Sequence, residues 1–261
     1  MIISDKVCKT YMGFEALKNV SFDIKQGDIV GILGKNGAGK TSLMRILTSF
    51  LPATSGKVII DGQDLAKHSL AIRQKIGYLP ETPPLYTNMT VQSYLKFAAQ
   101  IKDVAINQQR RQLHKVLDEC QLEGVRNQAI HTLSKGFKQR VGIAQAIIHE
   151  PKILILDEPT SGLDPIQIRQ VRALIKNQQG QRTVLVSTHT LSEIENIAER
   201  VLIIKSGVVI VDETLHTLLQ PKDTASSSAQ SLEAVFLSLH PESLISDQAV
   251  STDLLQEKAD A

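Results

Sequence analysis

The sequence predicts an α/β protein: a mostly parallel sheet with helices on its faces, an N-terminal antiparallel β element and a helical segment inserted part-way. Three features carry this prediction. A glycine-rich loop stands between an apolar strand and an amphipathic helix in residues 29–50. Strand–helix alternation resumes after Ile153. Between them, residues 82–150 show helical stripes and no strand-like run.

Residues 1–30 read as short strands with turns; 16–24 alternate and stop at Gln26-Gly27-Asp28. Ile29 to Leu33 is a buried strand broken by Gly31. Residues 40–50 follow as a helix, with Leu43, Ile46, Leu47 and Phe50 on one face. Residues 57–60 are a strand closed by Asp61-Gly62. Pro83-Pro84 marks a boundary. Beyond it Val91, Tyr94, Leu95 and Ala98 share one helical face, and Leu113, Val116, Leu117 and Cys120 share another. Residues 153–156 are a short apolar strand. Asp164-Pro165 supplies an N-cap and a first helical residue for a helix with Ile168, Val171 and Ile175 on one side. Residues 183–187 are a strand. Thr190 and Glu193 fit a capping box ahead of the stripe Ile194, Ile197, Ala198, Val201. Runs 201–204 and 208–211 flank a hairpin turn, Lys205-Ser206-Gly207. The composition changes after Gln220: 225–229 read as linker, Leu232, Val235, Phe236 and Leu239 as a short amphipathic helix, and 241–261 as a polar tail. The expected organisation is one domain over 1–220 and a C-terminal segment over 221–261.

A chain of 261 residues suits one large domain, and 42% hydrophobic with 21% charged residues is ordinary globular usage. That excludes a wholly disordered, collagenous or disulfide-scaffold protein. The net charge of +2 gives no large basic field, so no nucleic-acid partner is expected. Cys8 and Cys120 form no metal-type cluster and suit a reducing compartment. No apolar run reaches the roughly 18 residues of a membrane span. The first residues, with Asp5, Lys6 and Lys9, do not read as a signal peptide. The expected compartment is the cytoplasm.

Gly34-Lys35-Asn36-Gly37-Ala38-Gly39-Lys40-Thr41 matches G-x-x-x-x-G-K-[ST], after a strand and before a helix. Glycines let the backbone wrap a phosphate and aim N–H groups inward, and the helix N-terminus adds partial positive charge. Lys40 reaches the β- and γ-phosphates of a nucleotide such as ATP, and the Thr41 hydroxyl ligates Mg²⁺. The strand at 153–156 ends in Asp157-Glu158, and the carboxyl ends of parallel strands line the ligand crevice. Asp157 is placed to hold the Mg²⁺ and Glu158 to polarise a water aimed at the γ-phosphate. These features predict a P-loop NTPase core.

Leu133-Ser134-Lys135-Gly136-Phe137, Asp157-Glu158-Pro159-Thr160-Ser161-Gly162-Leu163-Asp164 and Ser187-Thr188-His189 extend the pattern. Together with the phosphate loop they resemble the ATP-binding subunits of ABC transporters, over Met1 to about Leu239. The resemblance implies that Tyr11 stacks on adenine, that Gly34, Asn36, Gly37, Ala38, Gly39, Lys40, Thr41 and Ser42 hold the phosphates, and that His189 contacts the γ-phosphate. It implies that Ser134 and Gly136 serve the ATP held by an opposite subunit, and that Asp164 lies at the dimer interface besides capping its helix. The implied state is a homodimer, or a heterodimer with a related ATPase. An integral-membrane permease would hold it on the cytoplasmic face of the inner (plasma) membrane, with coupling near 81–89.

Two motifs depart from the family pattern. Glu81, in Gly77-Tyr78-Leu79-Pro80-Glu81, stands where glutamine is usual and remains a candidate Mg²⁺ ligand. Lys135 and Phe137 replace a glycine-type residue and a glutamine. Tyr-Leu-Pro-Glu, Leu-Ser-Lys-Gly and the Leu232-Glu233-Ala234-Val235-Phe236 tail resemble the branch of type-two exporters and gliding-motility ATPases. Two rivals stay open: a soluble ABC ATPase acting on ribosomes or DNA, and a catalytically weak regulatory nucleotide-binding module.

Overall fold

The computed structural model describes residues 1–220 and 231–239. The linker at 225–229 and the tail at 241–261 lie outside the described residues. The chain divides into two compact units, Met1–Asp212 and Glu213–Ala261.

β1 (Ile2–Tyr11) and β2 (Phe14–Ile24) pair antiparallel around Met12-Gly13, whose φ angles of 45° and 90° make a tight hairpin turn. At ten and eleven residues they are longer than the short strands read from the sequence. Register shifts, with Lys6 and Asn19 at positive φ, break the alternation that would have revealed their length. β3 (Ile29–Leu33) has the predicted bounds and is buried throughout. α1 (Lys40–Leu47) stops short of residue 50. Ser49 turns left-handed at φ 58°, so Phe50 leaves the buried face of Leu43, Ile46 and Leu47 and is exposed beneath the Arg45 guanidinium. β4 (Ser55–Ile60) pairs with β1, and the two-residue β5 (Gln63–Asp64) completes a sheet of order β2-β1-β4-β5.

α2 (Ser69–Arg73) and β6 (Ile76–Leu79) follow; both are too short for periodicity to report. The inserted helices are α3 (Val91–Ile101), α4 (Ile106–Glu119) and α5 (Lys135–Ile147), and both predicted stripes are buried. Then come β7 (Ile153–Asp157), α6 (Pro165–Lys176), β8 (Thr183–Thr188), α7 (Leu191–Ile197), β9 (Arg200–Lys205) and β10 (Val208–Thr214). Asp164 caps α6 as expected, its carboxylate accepting from Ile166 N and Gln167 N. The capping box does not form: the Thr190 side chain caps nothing, and Glu193 is used otherwise. Val201 is buried as part of β9 rather than of the α7 stripe. In the second unit, α8 (Leu215–Leu218) and α9 (Leu232–Ser238) are short helices, with Leu232 and Val235 of α9 buried.

The second sheet has the order β10-β9-β3-β8-β7-β6. β3 runs parallel to β8 and β9, and β7 parallel to β8 and β6. Leu43, Met44, Ile46 and Leu47 of α1 share one apolar core with Ile2, Leu17 and Ile60 of the antiparallel sheet and Ile32, Ile155 and Leu202 of the parallel one. Burying α1 on both sides fixes its N-terminus, and with it the loop that leads in.

Candidate nucleotide site

Parallel pairing puts the chemistry on one edge. Leu33 stands opposite Thr188 and Asp157 opposite Ser187, so β3, β7 and β8 end level. The phosphate loop leaves β3, Glu158 follows β7 and His189 follows β8. β8 lies between the other two strands, an order the sequence does not display.

The phosphate loop is clasped from outside. Gly207 N–H, in the β9–β10 turn, donates to Ala38 O at 3.0 Å, while Gly207 O accepts from Lys18 N at 2.8 Å. Gly39 has φ 110°, and a Cβ there would stand 2.6 Å from Ala16 O. Only glycine meets both demands. As the N-cap of α1 it brings no side chain, and no side chain caps the first turn. The N–H groups at the start of α1 therefore face a bare cradle. An anion such as a phosphate fits it.

Lys40 is buried with its Nζ donating to Gly34 O at 2.6 Å and Lys35 O at 3.4 Å, and lies 3.8 Å from Glu158 Oε1. Glu158 has φ 48°, a conformation rare for a side chain of its size. It is held there by its N–H donating to Ser187 O at 3.0 Å. Its other carboxylate oxygen is 2.9 Å from His189 Nδ1. Such backbone strain clusters at functional sites. Asp157 is buried and accepts from Ser187 Oγ.

These groups surround a cavity of about 540 Å³. Residues 35–42 line it together with Glu81, Glu158, Ser161 and His189, and with Tyr11, Phe14 and Ala16. The Tyr11 hydroxyl is 3.4 Å from Ser42 Oγ, and Lys9 Nζ lies 5.1 Å from the Tyr11 ring centroid. Of the expected site residues, Gly34 and Asp157 are not among those lining the cavity. Ser134 and Gly136 do not reach it. Ser134 caps α5, accepting from Phe137 N at 3.4 Å, and Gly136 packs against Gln167 of α6. Phe14 and Ser161 were not singled out from the sequence. The signal for Phe14 was its place across a two-residue turn from Tyr11, which sets the two side chains on one face.

Thr41 and Asp157 suit a hard cation that takes most of its ligands from phosphates and water, as Mg²⁺ does. Among the described residues no group of three His, Cys, Asp or Glu side chains gathers to hold a metal on its own.

A model of the ABC transporter family matches residues 17–161. The chain belongs to the ABC transporter family. The bacitracin transport ATP-binding protein BcrA of Bacillus licheniformis is 37% identical over 80% of this chain and 68% of its own length. A solved ATP-binding subunit of an ABC transporter superposes with a TM-score of 0.81 at 29% identity, covering 92% of this chain and 99% of its own. A dimeric ATP-binding cassette, MJ0796, solved in a post-hydrolysis state with ADP and phosphate, superposes at 0.75 with 30% identity over 82% and 99%. This ABC protein is thus an ATP-binding and ATP-hydrolysing cassette on a P-loop NTPase fold. ATP-binding subunits of this family dimerise and work with membrane permeases. Among the described residues of this one, no helix is long and apolar enough to cross a membrane.

Proposed function

We propose that this ABC cassette hydrolyses ATP to drive export through a separate membrane permease. It would act as a homodimer, or as a heterodimer with a related ATPase, on the cytoplasmic face of the inner membrane. One observation carries the catalytic part: Lys40, Glu158 and His189, which follow three different strands, converge within 3.8 Å contacts beside the phosphate loop. Export is favoured by the similarity to a bacitracin transport subunit. Residues 1–220 form the ATPase domain in this reading, with 82–150 as its inserted helical subdomain and 221–261 as a C-terminal segment.

ATP stacks its adenine on Tyr11 and lays its phosphates on the cradle from Gly34 to Ser42, including Asn36, Gly37, Ala38 and Gly39. Lys40 exchanges the Gly34 and Lys35 carbonyls for phosphate oxygens, a better partner for a buried ammonium. That movement frees Glu158 Oε1 from its cation. Glu158 stays oriented through His189 and accepts the proton of the attacking water, while His189 faces the γ-phosphate. Thr41, Asp157 and Glu81 would hold a Mg²⁺ ion, which would supply neutralising charge at the phosphates. Ser134 and Gly136, remote from their own cavity, serve the nucleotide of the second copy. Each ATP then bridges two chains, and its cleavage removes the bridge.

The test is Glu158→Gln. It keeps the shape and the ATP affinity, lowers turnover by about 10²-fold or more, and accumulates an ATP-bound dimer. Turnover at the normal rate removes Glu158 as the base; a protein that stays monomeric at saturating ATP and Mg²⁺ removes the sandwich.

A further inference from the structure

α7 carries a buried carboxylate that the mechanism above does not use. Glu193 is 4% exposed, and one of its oxygens is engaged from the turn after β7, the other from the last residue of β8. Oε1 accepts from the Thr160 hydroxyl, and Oε2 accepts from the Thr188 hydroxyl at 2.9 Å. Thr188 Oγ1 in turn accepts from Thr190 N–H at 3.0 Å, which closes the chain over His189. Both threonines are buried, at 5% and 1% exposure. Thr160 stands two residues after Glu158, and Thr188 immediately before His189. No cation pairs with Glu193 among the described residues.

A buried carboxylate held only by hydroxyls is a poor device for stability, because the desolvation cost offsets most of the gain, and an apolar side chain of similar volume serves as well. Charge-assisted bonds from two directions do something an apolar residue cannot: they set a fixed separation between the turn after β7 and the end of β8. We propose that Glu193 is a positioning residue for hydrolysis. It straps Thr160 to Thr188, so that Glu158 and His189 keep their 2.9 Å contact and their aim at the γ-phosphate. The inference rests on the roles proposed above for Glu158 and His189.

The strap predicts a defined pattern in the full chain. Thr160→Val keeps the shape and removes one donor; it should lower kcat about 10- to 100-fold, the scale of a sub-ångström to 1 Å misplacement, with KM for ATP within about two-fold of wild type. Thr160→Ser restores the hydroxyl and should restore kcat. Combining Thr160→Val with Glu193→Gln should be no worse than the poorer single variant, since both cut the same strap. Wild-type kcat in Thr160→Val, a loss expressed in KM instead, failure of the serine variant to rescue, or losses that multiply in the double variant each overturn the inference. Should Glu193→Gln not fold, the valine and serine variants at Thr160 decide alone. The two readings fail separately. A chain without ATPase activity, or full turnover by Glu158→Gln, removes the roles of Glu158 and His189. An inactive Glu158→Gln beside a fully active Thr160→Val removes only the strap.

Discussion

Replacing Gly39 by alanine probes how the phosphate loop is seated, and the structure sets the magnitude. At φ 110° a Cβ is strained whatever surrounds it, and holding an L-residue left-handed costs roughly 1–2 kcal/mol. The new methyl would also stand 2.6 Å from the backbone oxygen of Ala16 and 2.8 Å from Leu17 Cδ2. A carbonyl in a β-strand cannot step aside as a side-chain tip can, so overpacking adds about 1–3 kcal/mol. Together these reach a few kcal/mol of the roughly 5–15 kcal/mol that holds a domain folded. The control is Gly37→Ala. Its φ is 81°, but a Cβ there meets nothing within 4 Å, so only the backbone cost of about 1–2 kcal/mol applies. Urea unfolding of both variants, followed by circular dichroism, measures the difference. Gly39→Ala should unfold at the lower concentration, with the slope unchanged. Equal midpoints for the two variants would falsify the close seating of the loop on β2, because only that contact separates them.

Three further outcomes follow from named contacts. Lys40→Ala removes the charge-assisted contact to phosphate, worth about 1.5–3 kcal/mol; calorimetric titration with ATP should show affinity about 10- to 100-fold weaker, and unchanged affinity would count against the cradle. Asp164→Ala leaves Ile166 N–H and Gln167 N–H uncapped and should lower stability by about 1 kcal/mol in thermal unfolding. Burial, reinforced by the Lys102 charge and opposed by the bond to Ile76 O, pushes the His149 imidazole down to about 4. The unfolded chain binds that proton near the ordinary value of about 6.5. Stability from His149 is therefore complete above about pH 6.5 and lost as pH falls towards 4. His149→Gln should flatten the fall in urea midpoint between about pH 7 and about pH 4.5; parallel curves for variant and wild type would remove His149 as the cause.

Much of this protein is local physics and was therefore readable from residues. The phosphate loop announces itself because a wrapped anion demands glycines and a lysine at fixed spacing between a strand and a helix. β3 keeps its predicted bounds because a strand buried on both faces is an apolar run, interrupted here only by Gly31. Asp164-Pro165 capped α6 as read, since a cap involves only neighbours in the chain. Failures of reading came where distant groups compete. Thr190 and Glu193 spell a capping box, yet Glu193 takes its bonds from Thr160 and Thr188, and a carboxylate already satisfied has nothing left for a helix end. Phe50 continues the α1 stripe in sequence, but the backbone reverses at Ser49 and turns it outward.

The candidate site divides in the same way. Motif and spacing name Lys40, Asp157 and Glu158, and the family resemblance adds His189. Strand order and register decide that they meet: β8 inserts between β3 and β7, and the pairs Leu33–Thr188 and Asp157–Ser187 bring three strand ends level. Pairing β3 with β8, 155 positions further along the chain, is a choice among whole-chain packings, not a property of any short segment. Composition and spacing thus determine which chemical groups the chain carries. Only the packed sheet, by burying α1 between two layers and aligning the strand ends, sets those groups within reach of one another.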